Sequence, residues 1–339
     1  MGKNGLKEKI MLSHGSGGRV MHRLIDSLMM AELDNPALRE KKDSAILKLG
    51  KKEFAFTTDS YVVNPIFFPG GDIGSLAVYG TVNDLSVCGA RPLVISLALI
   101  IEEGLNKDIL ERIIRSVRAA ARVAGINVVT GDTKVVEKGS CDKLFITTSG
   151  IGEVYYGGLS VDRIKAGDSV IISGTIGEHA ISVLSKREGI AFNSRISSDS
   201  APLNGLIRRA LKVSGKVRFM RDPTRGGVAT TLNEIVNGNN FGIFIDEESI
   251  PLRQGVKDAC ELLGFDPLYL ACEGRVIVVV GEEDSKKVLN AIRRHKLGKT
   301  AKIIGKVAGD HKGKVYMNTV SGGKRIVDML SGEQLPRIC

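Results

Sequence analysis

Two successive blocks in which short β-type runs alternate with helix-period segments constrain this chain more than any other feature. In the first block, Ala45–Leu49 and Phe54–Thr58 read as a hairpin turning at Gly50-Lys51-Lys52. Asp72–Cys88 reads as a helix stopped by Gly89 and Pro92, and Leu93–Ile101 as a buried strand. Lys107–Ala124 places Leu110, Ile113, Ile114 and Val117 on one helical face and ends at Gly125. Ile126–Thr130 and Leu144–Ile151 are further strands. The second block opens with strand Ser169–Ser173, then alternates helices at Gly177–Arg187, Leu203–Ser214, Gly226–Asn237, Gln254–Leu263 and Glu283–His295 with strands at Gly242–Ile245, Leu268–Ala271, Val276–Val280, Ile303–Val307 and Lys314–Met317. The expected organisation is α/β (mixed α+β). It comprises a lead segment (1–42) with a helix near Arg19–Leu33, two units (43–154 and 155–330), and a flexible tail (331–339).

A chain of 339 residues suits two domains. Its longest apolar stretch, Pro92–Ile101, is far shorter than a bilayer span, and the N-terminus is polar and basic. The expected location is the cytoplasm. Five scattered cysteines without CxxC spacing argue against a disulfide framework or a structural zinc site. The net charge of +10 is spread along the chain, and with no Trp and 5% aromatic residues there is little material for base stacking. A nucleic-acid partner is therefore not expected; an anionic nucleotide or an acidic protein accounts for the charge equally well.

The first block has an unusual distribution of acids. Asp43 precedes its first strand, Asp59 ends the second, Asp84 lies inside an apolar helix beside Asn83, and Asp132 ends another strand in Gly131-Asp132-Thr133. Acids beyond strand ends collect on one rim of a sheet, where ligands bind. Several Asp without His or Cys suit hard Mg²⁺ ions carrying phosphates. A single such Asp is more often a turn or cap residue; four in one block favour the metal reading.

His14-Gly15-Ser16-Gly17-Gly18 begins like a dinucleotide fingerprint, but Val20 holds the third glycine position and no strand precedes it. It could still wrap phosphates through its N–H groups, or be a plain flexible start. Gly298-Lys299-Thr300 is a chance P-loop match, because Arg293 stands at the first Gly position. In Arg221-Asp222-Pro223-Thr224-Arg225-Gly226-Gly227, Asp222 or Thr224 could cap the following helix, or Asp222 could reach a metal while the glycines admit a phosphate. Glu273 sits between two apolar runs, as a turn residue or as a base whose pKa burial would raise.

The chain ends Pro336-Arg337-Ile338-Cys339. A thiol is the most nucleophilic common side chain and can carry an acyl-type group. Terminal residues are usually disordered and without a role, but nine residues from Ser331 could reach roughly 30 Å.

Asp43-Ser44-Ala45, Thr58-Asp59, Val82-Asn83-Asp84-Leu85 with Gly89-Ala90-Arg91-Pro92, Gly131-Asp132-Thr133 and Asp222–Gly227 together resemble the aminoimidazole ribonucleotide synthetase-like superfamily, which includes selenide kinase and thiamine-phosphate kinase. The Ser13–Gly18 start and the terminal tetrapeptide narrow the resemblance to the carbamoyl dehydratases of [NiFe]-hydrogenase maturation. The resemblance covers essentially the whole chain. It implies that the carbamoyltransferase HypF loads a carbamoyl group onto Cys339. ATP with Mg²⁺ then phosphorylates the carbamoyl oxygen, and loss of phosphate leaves an S-thiocyanate whose cyanide passes to iron on the HypC–HypD scaffold complex. It also implies that Asp43, Asp59, Asp84, Asp132 and Asp222 hold metal, and that Asn83, Gly131, Thr133, Arg225 and Gly226 join them around the nucleotide. Lys134 would neutralise the transferring phosphate and Glu273 would act as base. A homodimer pairing the first-block sheets is implied too. Two rival readings remain. In a small-molecule kinase or amidine synthetase Cys339 would be dispensable. A non-catalytic carrier would have no use for the acids.

Overall fold

In the computed structural model, residues 9–15, 17–192, 196–330, 332, 335 and 337–339 are described. Ser16 of the glycine-rich start, and Ser331, Glu333, Gln334 and Pro336 of the tail, lie outside that set. The helix expected at Arg19–Leu33 is divided: α1 (Arg19–Leu24), a π-helical turn (Ile25–Met29) and α2 (Met30–Leu33) follow one another, with a short α3 (Pro36–Arg39) after them. None of these four pieces buries a residue, so no packed face enforces a single regular helix.

The first unit is a five-stranded sheet. Its strands are β1 (Ala45–Leu49), β2 (Lys52–Tyr61), β5 (Ala90–Glu102), β6 (Asn127–Val136) and β7 (Leu144–Val154), and a small hairpin of β3 (Phe67–Phe68) and β4 (Gly71–Asp72) stands apart. The order is β1-β2-β7-β5-β6, with β5 and β6 parallel and the other pairs antiparallel. Helices α4 (Ile73–Val87) and α5 (Lys107–Ala124) cover one face, where Val78, Val82, Ile95, Val117 and Ala121 form a buried cluster. Asp72 and Ser75 make a reciprocal capping box that starts α4 where the sequence indicated. The opposite face is uncovered, and Phe56, Ile100 and Ile151 are exposed on it.

The second unit is a seven-stranded sheet. Its strands are β8 (Ser169–Ile172), β9 (Val217–Arg221), β10 (Gly242–Asp246), β11 (Ile277–Val280), β12 (Lys302–Ala308), β13 (Val315–Asn318) and β14 (Lys324–Ile326), in the order β14-β13-β10-β12-β8-β11-β9. Its helices are α6 (Glu178–Glu188), α7 (Asn204–Val213), α8 (Gly227–Val236), α9 (Gln254–Leu263) and α10 (Glu282–Arg293). β8 and β11 are buried on both faces, which is why they read as unbroken apolar runs. Val170 and Val279 pack with Val228 and Leu232, whereas Ile171 and Val278 pack with Leu206 and Ile292.

Two expectations need correction, and strand β9 had no counterpart in the sequence reading. Leu268–Ala271 is not a strand: Pro267 lacks an N–H, the Asp266 carboxylate accepts from the Leu268 amide at 3.0 Å, and a 3-10 turn forms at Pro267–Tyr269. β9 was missed because Arg218 and Arg221 interrupt its apolar residues. β2 and β6 run beyond Asp59 and Asp132, so neither acid ends its strand.

The two units share one core. Ile73 and Leu76 of the first belong to the same buried cluster as Ile181, Val256 and Leu270 of the second, and the cluster also takes in Ile338 of the tail. Among the described residues, no helix is long and apolar enough to cross a membrane.

Candidate active site where the two units meet

The buried face of β2 alternates Ala55, Thr57, Asp59 and Tyr61, which aims Asp59 at α4 rather than at solvent. α4 contributes Asp84, whose Oδ2 accepts from the Thr57 hydroxyl at 3.0 Å; that hydroxyl also lies 2.8 Å from the Asp43 carbonyl oxygen. The Asp43 carboxylate accepts from Arg221 Nε at 2.8 Å, and Arg221 in turn donates to Glu234 at 2.7 Å and to the Lys41 carbonyl at 2.9 Å. Tyr61 donates to Asp59 at 3.1 Å.

From the second unit come Asp222 and Glu273. The Cys272 N–H donates to the Pro223 carbonyl at 3.0 Å, joining their two segments. Asn83 fixes this junction from α4. Its Nδ2 donates to the Ala201 carbonyl at 3.1 Å and its Oδ1 accepts from the Leu203 amide at 2.8 Å. Glu273 donates its N–H to Asp199 at 3.2 Å, while its buried Oε1 has no hydrogen-bond partner among the described residues.

These acids act on one another. Burial, then the charges of Asp59, Asp222 and Asp43, push the Asp84 carboxyl well above the usual range. Burial and the negative charges of Asp43 and Asp59 push Asp222 up to about 8. Glu273 is also pushed well up, by burial and then by Asp222, Asp199 and Asp59, with Arg225 opposing. Burial raises Asp43 as well, and its ion pair with Arg221 only partly offsets this. Such mutual repulsion between buried acids is what a bound cation would relieve. All the donors are oxygens, the set that suits Mg²⁺ rather than a softer metal. Among the described residues, no three His, Cys, Asp or Glu side chains are placed to hold an ion by themselves. An ion held here would have to draw further ligands from water or phosphate oxygens.

The Asp222–Gly227 segment does not cap α8 through a side chain. Gly226, at φ +77°, is the cap residue and has no side chain to accept from the first helical N–H groups. Gly227, at φ +60°, passes so close to the 3-10 turn that a Cβ would stand 2.6 Å from the Leu268 and Leu270 carbonyl oxygens. Arg225 is held by the Gly15 carbonyl at 2.7 Å. Negative charge at Cys339, followed by Asp59, Glu273 and Tyr61, strengthens its hold on its proton.

The tail supplies the remaining wall. In antiparallel sense, Val62 N–H donates to the Cys339 carbonyl at 3.1 Å and Asn64 N–H to the Arg337 carbonyl at 3.3 Å. Arg337 donates to the Val62 carbonyl at 3.0 Å and to Asp142 at 2.8 Å. Arg187 donates to the Arg337 carbonyl at 2.7 Å, and His179 Nε2 lies 2.8 Å from the Ile338 carbonyl oxygen. Cys339, Ser60, Val62, Arg225 and Gly226 line one pocket of about 300 Å³. Residues 337–339 thus have a built seat.

The structure therefore brings Asp43, Asp59, Asn83, Asp84, Asp222, Arg225, Gly226, Glu273 and Cys339 to one region. It does not bring Gly131, Asp132, Thr133 and Lys134 there within one chain. These lie in β6, whose partner strand β5 is separated from β2 by β7, and three strand spacings amount to roughly 14 Å. Lys134 there pairs with Asp132 at 2.6 Å, and both are exposed. Sequence reasoning missed Thr57, Tyr61, Asp199 and the tail's partners. Only Thr57 and Tyr61 carried a signal, two residues on either side of Asp59 on one strand face.

Comparison with known proteins gives the family. Residues 41–154 match the family described as AIR synthase related protein, N-terminal domain, and residues 165–318 match its C-terminal domain. The carbamoyl dehydratase HypE of Bradyrhizobium diazoefficiens is 50% identical over 330 residues, covering 97% of this chain and 95% of its own length. A crystal structure of hydrogenase maturation protein HypE in complex with ATP is 48% identical, covers 98% of this chain and 100% of its own, and superposes with a TM-score of 0.82. A HypE–HypF complex matches at 48% identity and a TM-score of 0.86, over 91% of this chain and 99% of its own.

Proposed function

The chain belongs to the AIR synthase related family, among the HypE carbamoyl dehydratases, and we propose that its substrate is an S-carbamoyl group carried on its own Cys339. The observation that carries this reading is the company kept by Arg225. Cys339 lines the same pocket as Arg225 and Gly226, and Arg225 also feels the charges of Asp59 and Glu273, which supports a tail that presents its last residue to this site.

The chemistry asks little more than this placement. An amide oxygen is a poor leaving group until it is phosphorylated. Transfer of the ATP γ-phosphoryl to the carbamoyl oxygen leaves ADP; the phosphorylated oxygen then departs as phosphate while nitrogen gives up its two protons, and S–C≡N remains. The oxygen ends in phosphate, and the sulfur–carbon bond stays intact. Catalysis is chiefly positioning and charge stabilisation. Asp43, Asp59, Asp84 and Asp222 would hold Mg²⁺, which would supply charge neutralisation on the phosphates. Arg225 and the α8 N-terminus after Gly226 offer positive potential to phosphate or to the carbamoyl oxygen. Glu273, buried with Oε1 unpartnered among the described residues, is the group proposed to take protons from nitrogen.

The exposed edge strand β6, with Val129 59% and Val135 66% exposed, is the proposed homodimer contact, together with the uncovered sheet face. In that assembly Asp132 and Lys134 would serve the nucleotide of the other copy. HypF is the proposed donor enzyme and the HypC–HypD complex the proposed acceptor of cyanide, with the reaction in the cytoplasm, where ATP is available. ¹⁸O in the carbamoyl oxygen tests the mechanism. The label is expected to appear in inorganic phosphate in step with thiocyanate; label released into water would overturn phosphorylation of that oxygen.

A further inference from the structure

His179 lies fully buried on α6, bonded on both sides of its ring. Its Nε2 is 2.8 Å from the Ile338 carbonyl oxygen, and a carbonyl can only accept, so Nε2 carries the proton. In the neutral ring Nδ1 is then an acceptor, and the Ser198 hydroxyl 2.8 Å away is its donor. Ser198 is oriented by the Ser200 amide, which donates to it at 3.0 Å. Phe68 meets the imidazole edge-on with centroids 5.3 Å apart, which fixes the ring plane.

The same short loop builds the base. Asp199 accepts from the Glu273 amide at 3.2 Å, and Asn83 donates to the Ala201 carbonyl at 3.1 Å and the Glu273 carbonyl at 3.4 Å. Seat and base therefore share one frame.

The main-chain bonds from Val62 and Asn64 do not by themselves fix where the thiol stops. A tail slipped by two residues would repeat the same pairing pattern and displace the sulfur by about 7 Å. That is far beyond what phosphoryl transfer tolerates. The burial of Ile338 and the Arg337 side-chain bonds to Val62 and Asp142 single out one register, and the Nε2 bond to the carbonyl just before Cys339 holds the last peptide in it.

We propose that His179, held in one tautomer by Ser198, is a positioning residue that sets the reach of the C-terminal thiol into the site. The proposal rests on the reading that Cys339 bears the substrate. Two full-length variants separate the ring's contacts. In His179→Gln the amide nitrogen replaces Nε2; in His179→Asn the shorter amide replaces only Nδ1. The measurements are the N-ethylmaleimide labelling rate of Cys339, resolved by peptide mass spectrometry with Cys141 as internal reference, and the single-turnover rate of water loss from the loaded tail.

His179→Asn is expected to speed Cys339 labelling and slow water loss by roughly fivefold to tenfold, the worth of one hydrogen bond. His179→Gln is expected to return both to within about twofold of the parent. Ser198→Ala, which leaves the ring in place, should speed labelling about twofold to threefold. Parent-like labelling in His179→Asn and Ser198→Ala, or a Gln variant no better than Asn, overturns the proposal. Labelling that shifts as expected in a protein that never loses water would uphold the seat and sink the dehydratase reading.

Discussion

The Cys272 amide donates to the Pro223 carbonyl at 3.0 Å, so the segment carrying Glu273 and the segment carrying Asp222 are fixed to each other. Across this junction stand Asp84 and Asp59 from the first unit. The site is a place where negative charge has been buried against its own electrostatic preference, and its stability and its activity should therefore oppose each other.

Asp84→Asn should show that opposition. The Asp84 carboxyl holds its proton far above the open-chain value, which costs stability as pH rises from about 4 upward. The neutral amide removes this cost and can still accept from Thr57. At pH 7 and without Mg²⁺, a rise in Tm of roughly 2–4 °C is expected by scanning calorimetry. ATP-dependent water loss should fall at least about a hundredfold while carbamoylation of Cys339 persists.

Acidification should destabilise the packing around His179. Burial holds the His179 imidazole below its ordinary value of 6.5, although Asp199 and the Ile338 carbonyl pull the other way. The unfolded chain takes up a proton on that ring before the folded form does, so the stability this buried ring contributes is present above about pH 6.5 and is lost as pH falls below it. Hydrogen exchange at the Val62 and Asn64 amides, corrected for intrinsic rates, should lose protection between pH 7.5 and 5.5. His179→Gln should remove this pH dependence.

Arg337 grips three surfaces: the Val62 carbonyl, the Asp142 carboxylate and the Phe145 ring at 5.8 Å. Lysine keeps the charge but not the planar fork. Arg337→Lys should slow single-turnover dehydration about threefold to tenfold, with the Tm of the protein unchanged.

Much of this was legible in the sequence, and what was not has physical causes. Asp43, Asp59, Asp84 and Asp222 stood out because each lies in a short stretch whose local pattern marks it. Capping at Asp72 and Gly125 fixed helix boundaries through local backbone chemistry. The seat of the tail was invisible because Val62, Asp142, His179 and Arg187 converge from distant points and share no motif. Asp132 and Lys134 were legible as a motif, but their strand, β6, lies three places from β2, and sheet order is a property of long-range pairing.

That position leads to an assembly prediction. Val129 is exposed on an edge strand of the first sheet. Val129→Lys should convert a dimer to a monomer in sedimentation velocity, leave Tm within about 2 °C, and remove ATP-dependent dehydration if Lys134 acts across the interface. A parent protein that sediments as a monomer at micromolar concentration would contradict the assembly.

The central claim is that the folded body dehydrates what Cys339 carries. Its most direct test is the mass of the C-terminal peptide after loading with the carbamoyl donor enzyme. The account expects the carbamoylated peptide to lose the mass of one water only when ATP and Mg²⁺ are both present. A peptide that keeps its full carbamoyl mass under those conditions would contradict it and leave the chain a carrier.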